Sequence, residues 1–238
     1  MPETETAPTP ALEAGFVLAG GQSRRMGRDK ALEVFGGRPL IEIALETLRQ
    51  AGVQAGIAGA RSELSGFAAV VDDPEPDQGP LAGICAAMEA TSAERVVFIP
   101  VDLPLLPASL VACMVSHARI TGRAVTLASV NGFAQTFPAV LNRAALPFLE
   151  HSRRSGQSGC YSAFQVAAAG VSHSVSVQQV SVLPVEVLAQ TGQATDPGAL
   201  PPAWWFLNVN SPSELARAES IVAASKSRSV DGNCGLIA

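Results

Sequence analysis

Short apolar segments alternate with helical patterns along most of this chain, and this alternation constrains the fold more than any other feature. Buried strands are predicted at residues 16–19, 53–58, 69–71 and 95–101. Helices are predicted from apolar side chains at helical spacing, at residues 39–48, 79–90 and 111–118. Strands that alternate with helices form parallel sheets through right-handed crossovers. The chain is therefore expected to form a three-layer α/β/α domain.

One part of the chain departs from this alternation and predicts a hairpin. Residues 124–129 and 133–141 read as strands on either side of Asn131-Gly132, a dipeptide typical of two-residue turns. A hairpin within a parallel sheet makes that sheet mixed. The expected fold class is α/β, with a mostly parallel mixed sheet between two helical layers.

The two ends of the chain are expected to differ from the middle. Residues 1–13 predict a disordered leader and 225–238 a disordered tail, leaving a single domain at 14–224. Near the end of that domain a further strand is predicted at 204–209. Ser211 is then expected to be a helix N-cap, with Pro212 at the first helical position and Glu214 completing a capping box.

Composition excludes several classes of protein. Hydrophobic residues make up 47% of the chain and charged residues 16%, which excludes a disordered or fibrous protein. No apolar run reaches the roughly 18 residues that a membrane-spanning helix needs. The net charge of −5 argues against a general nucleic-acid binder, which needs a basic face.

The first ten residues and the cysteines indicate a cytoplasmic location. Residues 1–10 contain no Lys or Arg, unlike the basic start of a signal peptide. The four cysteines are far apart and form no C-x-x-C pair, so neither a zinc site nor a redox motif is indicated. Cys85 and Cys113 lie in helical apolar patterns and are expected to be buried thiols.

The segment at residues 18–30, LAGGQSRRMGRDK, carries the strongest chemical signal. A strand runs into Gly20-Gly21, whose backbone N–H groups can approach phosphate oxygens closely. Three arginines and Lys30 follow in the same loop and supply positive charge for a polyphosphate. The alternative is a glycine-rich turn with solvated basic residues.

Two further polar segments follow predicted strands, and ligands of open parallel sheets bind beyond the carboxyl ends of their strands. Asp102 follows the strand at 95–101 and is expected to hold Mg²⁺, although it could instead start a turn or cap the next helix. Asn208 and Asn210 are expected on one side of a strand end, near the metal or the substrate. Their alternative role is capping of that strand end.

The segment at 18–30 resembles the signature L-A-G-G-x-S-x-R-M-G-x-D-K of the molybdenum cofactor guanylyltransferases, also called molybdopterin-guanine dinucleotide synthases. Every fixed position of that signature is filled here. More broadly it is similar to the nucleotide-binding fold of the sugar-nucleotide pyrophosphorylases. The sequences VDLP at 101–104, GPLAG at 79–83 and NVNSPSEL at 208–215 are similar to further motifs of the guanylyltransferases.

The resemblance implies transfer of GMP from GTP to a molybdopterin-type cofactor, with release of pyrophosphate and with Mg²⁺ as cofactor. It implies catalytic roles for Arg25, Lys30 and Asp102, with Asp102 as the metal ligand. Asn208 and Asn210 would contact the substrate. The residues implied to bind the nucleotide are Leu18, Ala19, Gly20, Gly21, Lys30, Asp73, Gly79, Pro80, Leu81 and Asp102. Proteins of molybdenum insertion and molybdoenzymes are implied partners, whereas nucleic acids and membranes are not.

The sequence departs from the family pattern at two places. Ala58 stands where the family commonly has an Asn that helps to hold the nucleotide, and Gln157 stands where it usually has an Arg that meets a substrate phosphate. Arg153 or Arg154 is a candidate substitute for that missing Arg. Two alternative functions follow: a nucleotidyltransferase that uses CTP or a sugar-phosphate acceptor, and a non-catalytic cofactor-binding relative.

Overall fold

The fold is described from a computed structural model of the chain. The structure describes residues 12–20, 29–59, 62–72, 79–157, 159–172 and 180–231. In the last of these ranges it describes side chains only as far as residue 225. Gly21, Arg25 and Asp73, which were predicted to be site residues, therefore lie outside the described residues, as does most of the predicted leader.

Within these residues, seven strands form one mixed sheet in the order β5-β4-β1-β6-β8-β7-β9. Its strands are β1 (Glu13–Leu18), β4 (Gln54–Ala58), β5 (Val70–Val71), β6 (Arg95–Pro100), β7 (Val125–Val130), β8 (Phe133–Asn142) and β9 (Val180–Pro184). Only β8 runs antiparallel to its neighbours β6 and β7. Strands β2 (Val34–Phe35) and β3 (Arg38–Pro39) form a separate two-stranded hairpin. The predicted fold class, including the mixed sheet, is confirmed.

Helices cover both faces of the sheet, because its strands alternate apolar side chains between two buried clusters. The helices are α1 (Leu40–Gln50), α2 (Pro80–Ala90), α3 (Ala108–Thr121), α4 (Leu146–Arg154), α5 (Cys160–Val171), α6 (Val185–Gln190) and α7 (Pro212–Asp231). One cluster joins Val17 of β1 to α1, α3, α6 and α7. The other joins Phe16 and Leu18 of β1 to α2, α4 and α5. Phe16 stacks on Phe98 of β6, with ring centroids 6.1 Å apart, which fixes the central strands together.

The hairpin prediction is confirmed by the backbone at its turn. Asn131 and Gly132 both have positive φ, 51° and 79°, as the two central residues of a type I′ turn require. The sheet extends past the hairpin, since β9 pairs in parallel with β7 at the edge. Helices α4, α5 and α6 and strand β9 were not predicted from the sequence.

The strand predicted at 204–209 is wrong. Residues Pro202–Trp204 form a 3-10 helix, and the Leu207 N–H closes a turn on the Trp204 carbonyl at 3.1 Å. Trp205 is buried to 1% exposure and donates its indole N–H to the Leu200 carbonyl over 3.0 Å. The apolar run therefore packs a turn into the core instead of extending the sheet.

The disordered tail predicted from residue 225 is wrong for its first seven residues, because α7 continues to Asp231. No Gly or Pro interrupts the sequence from 213 to 231, so the helix has no local signal to stop there. Its buried Ala218 packs into the core. At the other end, Glu13 belongs to β1 and not to a leader. Over the described ranges, no helix is both long and apolar enough to cross a membrane.

Candidate active site

The ends of the two central strands bring Gly20 and Asp102 to the same edge of the sheet. The Val101 N–H donates to the Leu18 carbonyl over 3.3 Å, and the Ala19 N–H donates to the Ala58 carbonyl over 3.1 Å. These bonds continue the pairing of β1 with β6 and β4 beyond the sheet. Gly20 and Asp102 therefore follow neighbouring strands at the carboxyl edge, where open sheets bind ligands.

Lys30 is presented by a short turn that its preceding residue holds in place. The Oδ1 of Asp29 accepts the Ala31 N–H over 2.9 Å and caps the 3-10 helix Lys30–Leu32. Ala31 is buried at 1% exposure, which anchors this turn to the core. The Lys30 side chain consequently leaves the turn from a fixed backbone.

Three predicted site residues meet at this point. The Lys30 ammonium donates to Asp102 Oδ2 over 2.7 Å and to Asn210 Oδ1 over 2.6 Å. The side chains of Lys30 and Asp102 are 18% and 21% exposed, so their ion pair is partly accessible to solvent and does not lie in the core. An ammonium has three N–H donors, and these two contacts leave one for another acceptor.

The second carboxylate oxygen of Asp102 is buried, and no residue in the described parts of the chain hydrogen bonds to it. Helix α3 begins after Pro107 with no side-chain cap, so Asp102 does not cap it. A buried oxygen with unused lone pairs is the kind of ligand that Mg²⁺ accepts, usually together with phosphate oxygens and water. Across the described ranges no three His, Cys, Asp or Glu side chains group as a metal cage.

Asn210 is held by the backbone of the preceding residue and by the first turn of helix α7. The Val209 N–H donates to the Asp102 carbonyl over 3.0 Å, and Val209 is buried. The Asn210 N–H donates to Glu214 Oε2 over 2.7 Å. These contacts place the Asn210 amide over Lys30. Asn208 is exposed and does not join this group of hydrogen bonds in the described residues.

Glu214 fulfils the predicted capping role with one difference. The Glu214 N–H donates to Ser211 Oγ over 3.3 Å, as expected of an N-cap serine. The carboxylate reaches one residue further back, to the Asn210 N–H. That N–H, the Ser211 hydroxyl and the nearby Lys30 charge lower the pKa of Glu214, so it is ionised at neutral pH.

The other predicted nucleotide-binding residues lie at the start of α2 on the opposite face of the sheet. Leu81 packs in one buried cluster with Leu18 and Ala58, the last residues of β1 and β4. Gly79 precedes the helix with φ of 80°, a conformation that favours glycine, and no side chain caps the helix. In this first turn Pro80 has no N–H, and the other N–H groups find no acceptor within the helix.

Ala58 and Gly59 shape the gap between β1 and β4. The Ala58 methyl lies 4.0 Å from the place that a Cβ on Gly83 of α2 would take, so β4 and α2 pack closely here. Gly59 has φ of 136°, and a Cβ there would lie 2.8 Å from the Gly20 nitrogen. Glycine at position 59 therefore lets the backbone after β4 approach Gly20 closely.

Sequence reasoning missed two residues that organise this site. Asp29 was part of the matched signature but had no assigned role, and Glu214 was assigned only to capping. For Asp29 the available signal was an aspartate directly before the turn, because Asp side chains accept backbone N–H groups two residues on. No local signal links Glu214 to Lys30, since that link runs through residues 180 positions apart.

Comparison with known proteins places these features in a family. The family model described as "MobA-like NTP transferase domain" matches residues 15–174. A molybdenum cofactor guanylyltransferase of Rhizobium meliloti is 33% identical over 213 residues, covering 86% of this chain and 89% of that protein. One from Xanthomonas euvesicatoria is 49% identical over 98 residues, covering 40% of this chain. The chain spans 50% of the Xanthomonas protein's length and 64% of that of a Shewanella halifaxensis relative.

Solved structures share the fold. Molybdopterin-guanine dinucleotide biosynthesis protein A from Archaeoglobus fulgidus has a TM-score of 0.68 and 22% identity, covering 89% of this chain and 99% of that one. A Mycobacterium tuberculosis protein solved in complex with manganese has a TM-score of 0.57 and 17% identity, covering 89% and 99%. Both similarities concern the fold, whereas the family match rests on the sequence. This chain belongs to the family of MobA-like NTP transferases.

Proposed function

We propose that the protein transfers GMP from GTP to the terminal phosphate of a molybdopterin-type cofactor and releases pyrophosphate. The observation that carries this proposal is the convergence of Lys30, Asp102 and Asn210 at the carboxyl edge of the sheet, where β1 and β6 end. Relatives named molybdenum cofactor guanylyltransferase support the choice of donor and acceptor.

The reaction needs charge neutralisation more than proton transfer. An oxygen of the acceptor phosphate attacks the α-phosphorus of GTP, and the bond from that phosphorus to the oxygen bridging to the β-phosphate breaks. The electron pair leaves with pyrophosphate. Because the attacking phosphate is already ionised, no general base is required, and positioning together with electrostatic stabilisation supplies the rate.

Lys30 is suited to stabilise the charge of the triphosphate. Two of its N–H donors are used by Asp102 and Asn210, which aim the ammonium, and the third is open to a phosphate oxygen. Arg25 and the N–H groups of Gly20 and Gly21 are proposed to share the same task. A charge-assisted contact of this kind strengthens as charge moves onto the leaving pyrophosphate.

Asp102 is proposed as the protein ligand of Mg²⁺. Its buried Oδ1 accepts no hydrogen bond from the described residues, and Lys30 on the other oxygen orients the carboxylate. When bound, Mg²⁺ would reduce the repulsion between the two phosphates. The single carboxylate agrees with the preference of Mg²⁺ for one or two carboxylates plus substrate phosphates.

The guanine base is proposed to lie on the other side of Gly20, toward Leu18, Leu81 and Gly79, with Asp73 as a further contact. Gly20 and Gly59 present backbone without side chains there. Ala58 offers no hydrogen bond to the base, so GTP is expected to bind less tightly than in relatives that carry Asn at this place.

The acceptor is proposed to lie on the side of Asn208 and Asn210. Arg153 and Arg154, the candidate substitutes for the arginine missing at Gln157, both donate to Glu150 Oε2, over 3.1 and 3.2 Å. The Arg154 side chain is 72% exposed and remains accessible to an anion. Molybdenum-insertion and molybdoenzyme partner proteins stay predictions.

Pyrophosphate release from a panel of GTP, CTP and ATP, with and without molybdopterin, tests the proposal. We expect release with GTP and molybdopterin together and little with either other nucleotide. Fastest release with CTP would assign the protein to cytidylyl transfer. Release with GTP and a sugar phosphate but not with molybdopterin would assign another acceptor. No release with any pair, despite GTP binding, would favour a non-catalytic relative.

A further inference from the structure

The carboxylate of Glu214 contacts the site indirectly, through the backbone of the residue that contacts Lys30. Its Oε2 accepts the Asn210 N–H over 2.7 Å and the Ser211 hydroxyl over 3.1 Å. The amide oxygen of the same Asn210 accepts from the Lys30 ammonium over 2.6 Å. A continuous chain of hydrogen bonds thus joins Glu214 to Lys30 and then to Asp102.

The segment before α7 is fixed at two backbone points. The Val209 N–H is bound to the Asp102 carbonyl, and the Asn210 N–H is bound to Glu214. With only the first bond, rotation about the backbone of Asn210 can carry its side chain away from Lys30. With both, the direction of the amide is set.

Helix α7 gives Glu214 a fixed position. Ala218 is fully buried in the core. Further along, the Ser225 hydroxyl donates to the Gly198 carbonyl. Because the helix is anchored along its length, the carboxylate at its first turn does not move independently of the sheet.

We propose that Glu214 is a positioning residue for nucleotidyl transfer, which sets the Asn210 amide and through it the orientation of Lys30. The inference rests on the proposed function and adds a residue that does not touch substrate. If Glu214 only capped α7, its loss would lower the stability of the helix and leave the kinetics of the folded enzyme unchanged.

A double-mutant cycle separates these roles. Glu214→Ala is expected to lower kcat about tenfold in the wild-type background, because small misplacements of a catalytic group are costly. In an Asn210→Ala background the same change is expected to have no further effect, since the link to Lys30 is already cut. Equal effects in the two backgrounds, or an unchanged kcat in Glu214→Ala, would overturn the inference.

Two further variants complete the experiment. Glu214→Gln keeps an acceptor oxygen but removes its charge, and we expect it to lower kcat about twofold. In the Asn210→Ala background we expect Glu214→Gln to have no further effect on kcat. It also serves as the second variant if Glu214→Ala does not fold. Glu219→Gln is the matched control, a carboxylate on the same helix that accepts a backbone N–H away from Lys30. Its kcat is expected to equal that of the wild type.

For each protein of the same double-mutant cycle, the Kd for GTP is also measured by calorimetry. If the wild type binds GTP but shows no turnover with molybdopterin, the proposed function is overturned, and the binding cycle alone decides the role of Glu214. Coupling between Glu214 and Asn210 in Kd would then support the positioning role. Additive effects on Kd would overturn it.

Discussion

The Lys30 ammonium lies 2.7 Å from Asp102 Oδ2, although the two residues are 72 positions apart in the chain. The contact leaves one N–H of Lys30 and the buried Oδ1 of Asp102 without a partner in the described structure. Each residue thus orients the other. Under the proposed function, the remaining N–H of Lys30 would contact a phosphate oxygen and Asp102 Oδ1 would face Mg²⁺.

Lys30→Ala is expected to lower kcat/KM by about 30- to 1000-fold, because losing one charge-assisted contact in the transition state costs about 2–4 kcal/mol. Pyrophosphate release measures this loss. The fold is expected to persist, since partly exposed ion pairs contribute only about 0–1 kcal/mol to stability.

The control for Lys30→Ala is Arg38→Ala, which removes the exposed pair between Arg38 of β3 and Glu42 of α1. It is expected to leave kcat/KM unchanged. Equal activity of Lys30→Ala and Arg38→Ala would contradict the assignment of Lys30 to the triphosphate.

The sequence predicted the central strands and the hairpin because their signals are local. The β-branched run at Arg95–Pro100 and the Asn131-Gly132 turn each specify a backbone conformation without help from distant residues. The prediction failed at 204–209, where the same apolar composition serves to bury Trp205 in a turn. Burial was read correctly there, but periodicity cannot distinguish a strand from a packed loop.

The candidate site was predictable residue by residue but not as an arrangement. Lys30, Asp102 and Asn210 were each selected from sequence motifs, but only Asp102 follows a strand closely, because the residues before Asn210 form a turn and not the predicted strand. That Lys30 binds both Asp102 and Asn210 depends on the tertiary positions of three separate loops. The role of Glu214 follows from that arrangement, so it became visible only in the structure.

Gly59→Ala is expected to destabilise the protein by about 1–3 kcal/mol and to weaken GTP binding. Its φ of 136° is unfavourable for alanine, and the new Cβ would meet the Gly20 nitrogen at 2.8 Å. Relief of that contact would displace Gly20, which lies in the segment at residues 18–30. Thermal unfolding and GTP calorimetry measure the two effects.

Gly66→Ala provides the matched control for Gly59→Ala. No atom lies within 4 Å of a Cβ at Gly66, and its φ is not in the left-handed region. We expect an unchanged or slightly raised stability, by up to about 1 kcal/mol, because alanine restricts the unfolded chain. If Gly59→Ala had the same stability and GTP affinity as Gly66→Ala, the close backbone approach at Gly59 would contribute to neither property.

Cys85 and Cys160 are expected to resist alkylation by iodoacetamide at pH 8 in the native protein. Burial raises the pKa of the Cys160 thiol to about 12, and burial with a hydrogen bond to Glu150 raises the pKa of Cys85 further. Both thiols therefore stay protonated, and only the thiolate reacts. Peptide mapping by mass spectrometry, with the unfolded protein as control, measures the labelling of each cysteine. Rapid native labelling of either would contradict this burial.

The raised thiol pKa values also give a pH dependence of stability. A thiol whose pKa is higher in the folded than in the unfolded state stabilises the fold fully below its ordinary value of 9.0. That contribution is lost as the pH rises from there toward the folded-state values. The free energy of unfolding is therefore expected to fall above about pH 9. Cys85→Ala with Cys160→Ala should flatten this fall, which urea unfolding at several pH values measures.

Asp102→Asn is expected to lower kcat by about 100-fold or more, because the amide keeps the shape of the side chain but not the charge that holds Mg²⁺. Stability should change little or rise, since an anionic group at a ligand site is retained for function. The structure already separates this role from helix capping, because α3 begins after Pro107 without a side-chain cap. Turnover across a Mg²⁺ titration measures the effect, with wild-type protein in parallel. A shift of half-saturation to higher Mg²⁺ supports Asp102 as the ligand, and a wild-type magnesium response in Asp102→Asn would exclude it.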